Sequence, residues 1–220
     1  MVRIRMSSEF ERVDQQLIER FRVIPVANVS DSMGRLSAGG ARIRPYHKHG
    51  PLLGPALTVR TRPGDNLALH KALDMVRPGD VIVVDGGGDL TNALLGDLLV
   101  AYALKLGVGG FVVNGSIRDL ATIQQGTFPV YAAGVTHRGP YKDGPGEING
   151  PIAIDGMLFR PGDLVLGDAD GVLCVPREEA RSICEQAERK NRAEQRDLAA
   201  ILDGTWDRAW IDEKIGTSAT

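Results

Sequence analysis

A mixed α/β fold is predicted by three features of the sequence. Val81-Ile-Val-Val-Asp85 and Gly110-Phe-Val-Val-Asn114 are continuous apolar runs, the pattern of strands buried on both faces. Between them, residues from Asp97 to about Leu106 read as a helix that Gly107 stops. Together these make a βαβ unit over residues 81–114, with β-rich segments on either side.

The flanking elements follow in order. Phe10, Val13, Leu17, Ile18 and Phe21 recur at helical spacing, and Ser7 or Ser8 would cap that first helix. Pro25 ends it. Asn28 to Gly34 reads as a second helix start with Ser30 as N-cap. A polar stretch with Gly and Pro runs to Pro55, and Ala56–Thr61 reads as a strand. Pro63-Gly-Asp-Asn66 is a turn, with Asp65 or Asn66 capping a helix from Leu67 to about Val76. After Arg118 comes a short helix, then strands near 129–132, 152–154, 164–168 and 171–175. Arg177 to Ile201, rich in Ala, Glu, Arg and Gln, is a long helix. Arg77-Pro-Gly-Asp80 and Arg160-Pro-Gly-Asp163 each lead into a strand. Shared turn chemistry explains that likeness better than an internal repeat.

The 220 residues suit one domain, with helical extensions over about 1–24 and 177–220. Hydrophobic residues at 43% and charged residues at 25% are ordinary for a chain that buries its own core. A net charge of −2 with no basic run offers no electrostatic case for nucleic acid. Cys174 and Cys184 lack a CxxC partner and read as buried reduced thiols. The first residues lack the apolar region of a signal peptide, and no apolar run is long enough to span a bilayer, so a cytoplasmic location without membrane contact is expected.

Asp97 and Arg118 are separated by twenty residues, enough for a helix and the strand back. In a right-handed βαβ unit this brings the helix start and the strand's C-terminal end to one edge, where open α/β sheets bind ligands. Asp97, Arg118 and Asp119 are therefore expected in one crevice, with Gly86-Gly-Gly88 beside them. The amides of Leu98 and Leu99 would be free in the first helical turn. Arg118 can grip a carboxylate or an enolate oxygen with two hydrogen bonds. Asp119 can hold a hard cation, and so few carboxylates suit Mg²⁺ or Mn²⁺ keeping several waters. Taken singly, Asp97 reads as a helix cap, while Arg118–Asp119 can be a surface pair and the glycines a plain turn; their conjunction at one edge is what points to a site. His47 and His49, in a loop with Pro and Gly, read as solvated rather than as metal ligands. Lys48, Lys71, Lys142 and Lys190 also read as solvated, and Lys105 lies at the far end of its helix, so no Schiff-base lysine stands out.

Asn28-Val-Ser-Asp31, Arg62-Pro-Gly-Asp-Asn66 with His70, Gly96-Asp-Leu-Leu99, Gly115-Ser-Ile-Arg-Asp119, Arg160-Pro-Gly-Asp163 and Asp168-Ala-Asp-Gly171, in this order, resemble the RraA-like family, which includes 4-hydroxy-4-methyl-2-oxoglutarate aldolase/oxaloacetate decarboxylase. The resemblance covers most of residues 25–180. It implies a swivelling β/β/α domain assembled as homotrimers or homohexamers, and a metal-dependent lyase that cleaves small 2-oxo acids through a pyruvate enolate. It assigns the metal to Asp119 and a water of that metal to Asp97. The 2-oxo acid falls to Arg118 with Gly96, Leu98, Leu99 and Asn66, and Glu194 would come from a neighbouring subunit's C-terminal helix. Where some members carry an acidic residue three positions after the Arg-Asp aspartate, this chain has Thr122. A branch of the family instead regulates a ribonuclease by binding it. That branch lacks the Arg-Asp aspartate, which this chain keeps as Asp119.

Overall fold

The computed structural model describes residues 3–7, 10–37 and 40–216. The strands are β1 (Ile4–Met6), β2 (Arg44–Pro45), β3 (Leu52–Thr61), β4 (Val81–Asp85), β5 (Ala93–Leu95), β6 (Gly110–Ile117), β7 (Val130–Val135), β8 (Gly146–Ile148), β9 (Ile152–Ile154), β10 (Met157–Phe159), β11 (Leu164–Asp168) and β12 (Gly171–Val175). The helices are α1 (Gln15–Phe21), α2 (Val26–Ser32), α3 (Leu67–Ala72), α4 (Asp97–Lys105), α5 (Leu120–Gln125), α6 (Ala180–Leu202) and α7 (Ala209–Ile215).

One sheet organises the chain, in the order β1-β8-β3-β4-β6-β7-β2. Its centre, β3-β4-β6-β7, is parallel. Ahead of the residues that pair with β4, Leu52 to Pro55 of β3 pair antiparallel with β11, which in turn pairs with β12. The apolar runs behave as their composition requires. Val81 and Val83 enter the core under α1, α2 and α6, while Ile82 and Val84 enter the core under α3, α4 and α5. Helix α6 buries Ala180, Ile183, Cys184 and Ala187, one stripe at helical spacing. Beyond Ala187 that burial stops: Leu198, Ile201 and Leu202 are exposed, and α7 buries nothing.

Several expectations shift. The first helix begins only at Gln15, capped by Asp14, whose carboxylate accepts the amides of Gln16 and Leu17. Val13 is buried, but its amide goes to Gly162 O at 3.1 Å, so the chain ahead of Asp14 is tied to a distant turn instead of winding into helix. Ser7 is therefore no cap, and Ser8 lies outside the described residues. Ser30 sits inside α2, which starts after Pro25, where a ring with φ of −55° is already suited to a helix entry. The N-terminal segment adds a strand, β1, that pairs in parallel with β8. The two Arg-Pro-Gly-Asp units do repeat one local structure. Gly79 and Gly162 have φ of 90° and 87°, and Asp80 and Asp163 each accept the amide three residues back. Their strands then run in opposite senses beside β3, in keeping with shared turn chemistry. Cys174 and Cys184 are buried free thiols, and burial raises both pKa values. His47 is not a free solvated ring: Nε2 lies 2.8 Å from Gly50 O and the ring packs on Tyr131.

Candidate active site

β6 outruns its neighbour β4. Past Asn114 it pairs instead with β5, and the chain then turns at Arg118, whose amide bonds to Leu95 O at 2.9 Å. That single bond sets Arg118 and Asp119 beside Gly96 and the start of α4. Asp119 takes the left-handed conformation, φ 57° and ψ 38°, which a short polar side chain tolerates. Its Oδ2 accepts the Asp97 N–H at 3.1 Å and lies 3.6 Å from Arg118 Nε. Oδ1 accepts no hydrogen bond from any described residue. The aspartate–twenty residues–Arg-Asp spacing thus closes into direct contact, as the βαβ geometry requires.

Gly96 precedes α4 in an extended conformation and offers no side-chain cap. A Cβ there would lie 2.4 Å from Asp119 Oδ2 and 3.1 Å from Arg118 Nε, so only glycine admits both side chains. Gly139 makes room for the same guanidinium on the other side, where a Cβ would stand 3.0 Å from Arg118 Nη1. In α4 the Val100 N–H bonds back to Gly96 O, and the Asp97 N–H is taken by Asp119. Leu98 and Leu99 keep amides without an intrahelical partner, an anion-seeking helix start.

These groups line a cavity of about 150 Å³ that includes Gly96, Asp97, Leu98, Leu99, Arg118 and Asp119. Asn66 and His70 of the α3 segment form its other wall. Asn66 is buried; its Nδ2 donates to Leu94 O at 3.0 Å, while its Oδ1 is a buried acceptor left unused. His70 has its pKa lowered, first by partial burial and then by the positive Lys142, which favours the neutral ring.

Two residues of this cavity had no signal in the sequence. Pro140 and Lys142 arrive on the loop after β7, and Lys142, expected to be merely solvated, stands at the rim. Asp65 brings them there. It is fully buried, and its Oδ2 accepts the amides of Asp143 and Gly144 at 2.7 and 2.9 Å, while Oδ1 accepts Leu67 N–H.

Gly86-Gly-Gly88 does not line the cavity. The amides of Gly86 and Gly88 fold back onto Asn114 O, and Gly88 lies beside Arg42, so the loop caps β4 where β6 still has three residues to run. Glu194 is also absent from the cavity of its own chain. Its carboxylate accepts from Asn28 Nδ2 at 2.7 Å and pairs with Lys190 at 2.9 Å, and these two donors lower its pKa. Thr122 is exposed on the first turn of α5. Among the described residues no group of three His, Cys, Asp or Glu gathers as a metal cage.

The chain has relatives among known families, sequences and solved structures. The family model RraA-like (Aldolase/RraA) matches residues 26–174. A protein of Halalkalibacterium halodurans named "Putative 4-hydroxy-4-methyl-2-oxoglutarate aldolase" is 39% identical, over 91% of this chain and 96% of its own. Among solved structures, the Streptomyces coelicolor protein RraAS2, described as an unusual member of the RNase ES inhibitor RraA family, superposes with a TM-score of 0.77 at 29% identity, over 85% of this chain and 98% of its own. The RNA-processing inhibitor RraA from Thermus gives 0.64 at 31% identity, over 69% of this chain and 92% of its own. With the family model matching residues 26–174, which include every residue named above as lining the cavity, and with that 39% identical relative, the chain belongs to the RraA-like family.

Proposed function

We propose that the protein is a divalent-metal-dependent lyase that breaks a C–C bond of small 2-oxo acids, as a 4-hydroxy-4-methyl-2-oxoglutarate aldolase, an oxaloacetate decarboxylase or both. The observation that carries this reading is the Asp119 Oδ2 to Asp97 N–H bond, which draws Arg118, Asp119 and the open amides of α4 into one cavity. The donor set fits a hard cation that keeps most of its waters: oxygen ligands only, with one Asp119 oxygen free of hydrogen bonds. Asp119 would hold Mg²⁺ or Mn²⁺, with Asp97 beside it, and the ion when bound supplies a Lewis acid for the keto and carboxylate oxygens.

The rest of the chemistry belongs to the chain. The Leu98 and Leu99 amides and the Arg118 guanidinium bind the substrate carboxylate and the charge that grows on the 2-oxo oxygen as C3–C4 breaks. Gly96 lets the substrate approach that backbone closely. Asn66, held by Leu94 O, orients the substrate across the cavity. The Asp97 carboxylate takes the 4-hydroxyl proton through water and returns one to C3 of the pyruvate enolate. Loss of CO₂ from oxaloacetate leaves the same enolate, so one site serves both reactions.

Assembly as a homotrimer or homohexamer is part of this reading. Leu198, Ile201, Leu202, Trp206 and Trp210 are exposed in a single chain, a surface suited to cover by another copy. Glu194 would then act on a neighbour's cavity. Among the described residues no helix is long and apolar enough to cross a membrane. A cytoplasmic location is part of this reading, and two buried cysteines without a disulfide suit a reducing compartment.

The test is pyruvate release from oxaloacetate and from 4-hydroxy-4-methyl-2-oxoglutarate, with Mg²⁺ and with chelator, for wild type and Asp119→Ala. Metal-dependent turnover that the variant loses is expected, and the ratio of rates names the main reaction. Absence of turnover from the folded, metal-supplied protein on both substrates would overturn the lyase. A second reading, a non-catalytic regulator that binds a ribonuclease, draws on the names of the Streptomyces and Thermus proteins and predicts that absence.

A further inference from the structure

The sequence has no basic run, yet the fold gathers arginines from two distant segments. β8 lies between β1 and the end of β3, and the register places Arg5, Glu147 and Arg60 side by side across the three strands. Two residues along, the Gly146 N–H bonds to Arg3 O and the Arg62 N–H to Pro145 O, so Arg3, Pro145 and Arg62 form a second row. Residues two apart on a strand share a face, so all four arginines stand on the same side. The intervening row points the other way, where Gly146 meets Ala68 of α3. The arginine face opens on a cleft of about 430 Å³ lined by Arg3, Arg5, Arg60, Arg62 and Glu147.

The charge in this cleft is poorly answered. Glu147 faces both Arg5 and Arg60, at 3.7 and 3.8 Å, too long for a direct hydrogen bond to either. Arg60 also donates to Pro151 O, and Arg62 is turned toward Asp65 and Asp143. Arg3 has no ion pair with any described residue. Among the described residues that line the cleft, Glu147 is the one carboxylate against four arginines. Arginine forks match the planar or tetrahedral oxygens of carboxylate and phosphate.

We propose that the cleft between β1, β8 and the end of β3 binds a small molecule carrying two or more oxyanion charges, phosphate or carboxylate. Arg3 and Arg60 on opposite walls grip its ends, and Arg5 closes the side that Glu147 leaves open. The segment that Asp65 holds contributes to both cavities, Pro145 to the cleft and Pro140 to the candidate active site. Arg62 reaches Asp65 from the cleft, and Lys142 of that segment lines the active-site cavity.

The experiment is calorimetric titration of the full chain with pyrophosphate and, separately, with citrate, in metal-free buffer at low salt. Wild type, Arg3→Gln/Arg60→Gln and Arg118→Ala are compared, with circular dichroism and elution volume recorded for each. Saturable binding of either anion is expected, weakened at least tenfold in the double variant and kept in Arg118→Ala. The tighter of the two names the chemistry as phosphate or carboxylate. Lack of saturable binding by both anions overturns the proposal. So does binding lost in Arg118→Ala but kept in the double variant, which would put the anion in the active-site cavity. A changed elution volume for a folded double variant, without anion binding by wild type, would make the cleft a contact between copies instead.

Discussion

The turn at 77–80 and the cavity edge at 96–97 and 118–119 use one device, an aspartate accepting a nearby backbone amide, to opposite ends. Asp80 is buried and saturated. Its Oδ2 accepts Arg77 N–H, and both oxygens receive the Arg12 guanidinium at 2.7 and 2.8 Å. Asp119 is partly exposed, accepts one amide, and leaves an oxygen open beside unpaired helix amides and a loosely held arginine. Where every valence is filled the chain is building structure. At the cavity edge a helix start goes uncapped, an aspartate is left-handed and a buried Asn66 oxygen has no partner, and on the proposed reading these serve a ligand.

Four substitutions would break or sharpen that contrast. Asp119→Ala should cut turnover by about 10²–10³-fold, as loss of a group that acts on developing charge does, while the melting temperature stays near wild type. A steady-state pyruvate assay with a thermal melt separates the two effects. Asp80→Ala should do the reverse. It strands Arg12 and should cost about 2–3 kcal/mol in a urea titration, below the loss for a fully buried pair because Arg12 keeps some contact with water, with activity per folded molecule unchanged. Gly96→Ala pushes Asp119 and Arg118 aside by their contacts with the new Cβ and should lower kcat by about tenfold or more, with little change in unfolding free energy.

The smallest effect concerns Glu188, which accepts both nitrogens of Arg20 at 2.8 and 3.0 Å and so ties α6 to α1. The Arg20 hydrogen bond holds the Glu188 carboxyl below the usual glutamate range. A depressed carboxylate stabilises the fold above its unfolded pKa and loses that contribution as pH falls through the folded value. Glu188→Gln should therefore cost about 0.5–1 kcal/mol at neutral pH and progressively less in acid, as read from urea titrations across that range.

Much of the site was legible because its parts are close in sequence or joined by one βαβ unit. Asp97, Arg118 and Asp119 follow from strand and helix lengths alone, and Gly107 ends α4 with φ of 76° as a stop signal should. What escaped is non-local. β1 and β8 have three residues each and pair across some 140 positions of sequence, so neither carries a pattern of its own. Lys142 reaches the cavity only because Asp65, read as a helix cap, also clamps a distant loop. Gly86-Gly-Gly88 was placed by its strand without allowing for β6 outrunning β4 to meet β5. Val13 fitted the helical stripe, but its amide found Gly162.

Asp65 has a kinetic consequence. One carboxylate accepts the amides of Leu67, Asp143 and Gly144, which belong to a helix start and a loop far apart in sequence. Displacement of the carboxylate releases all three amides at once. In hydrogen–deuterium exchange they should behave as one cooperative unit with a shared opening free energy, and that opening frees the wall that carries Lys142.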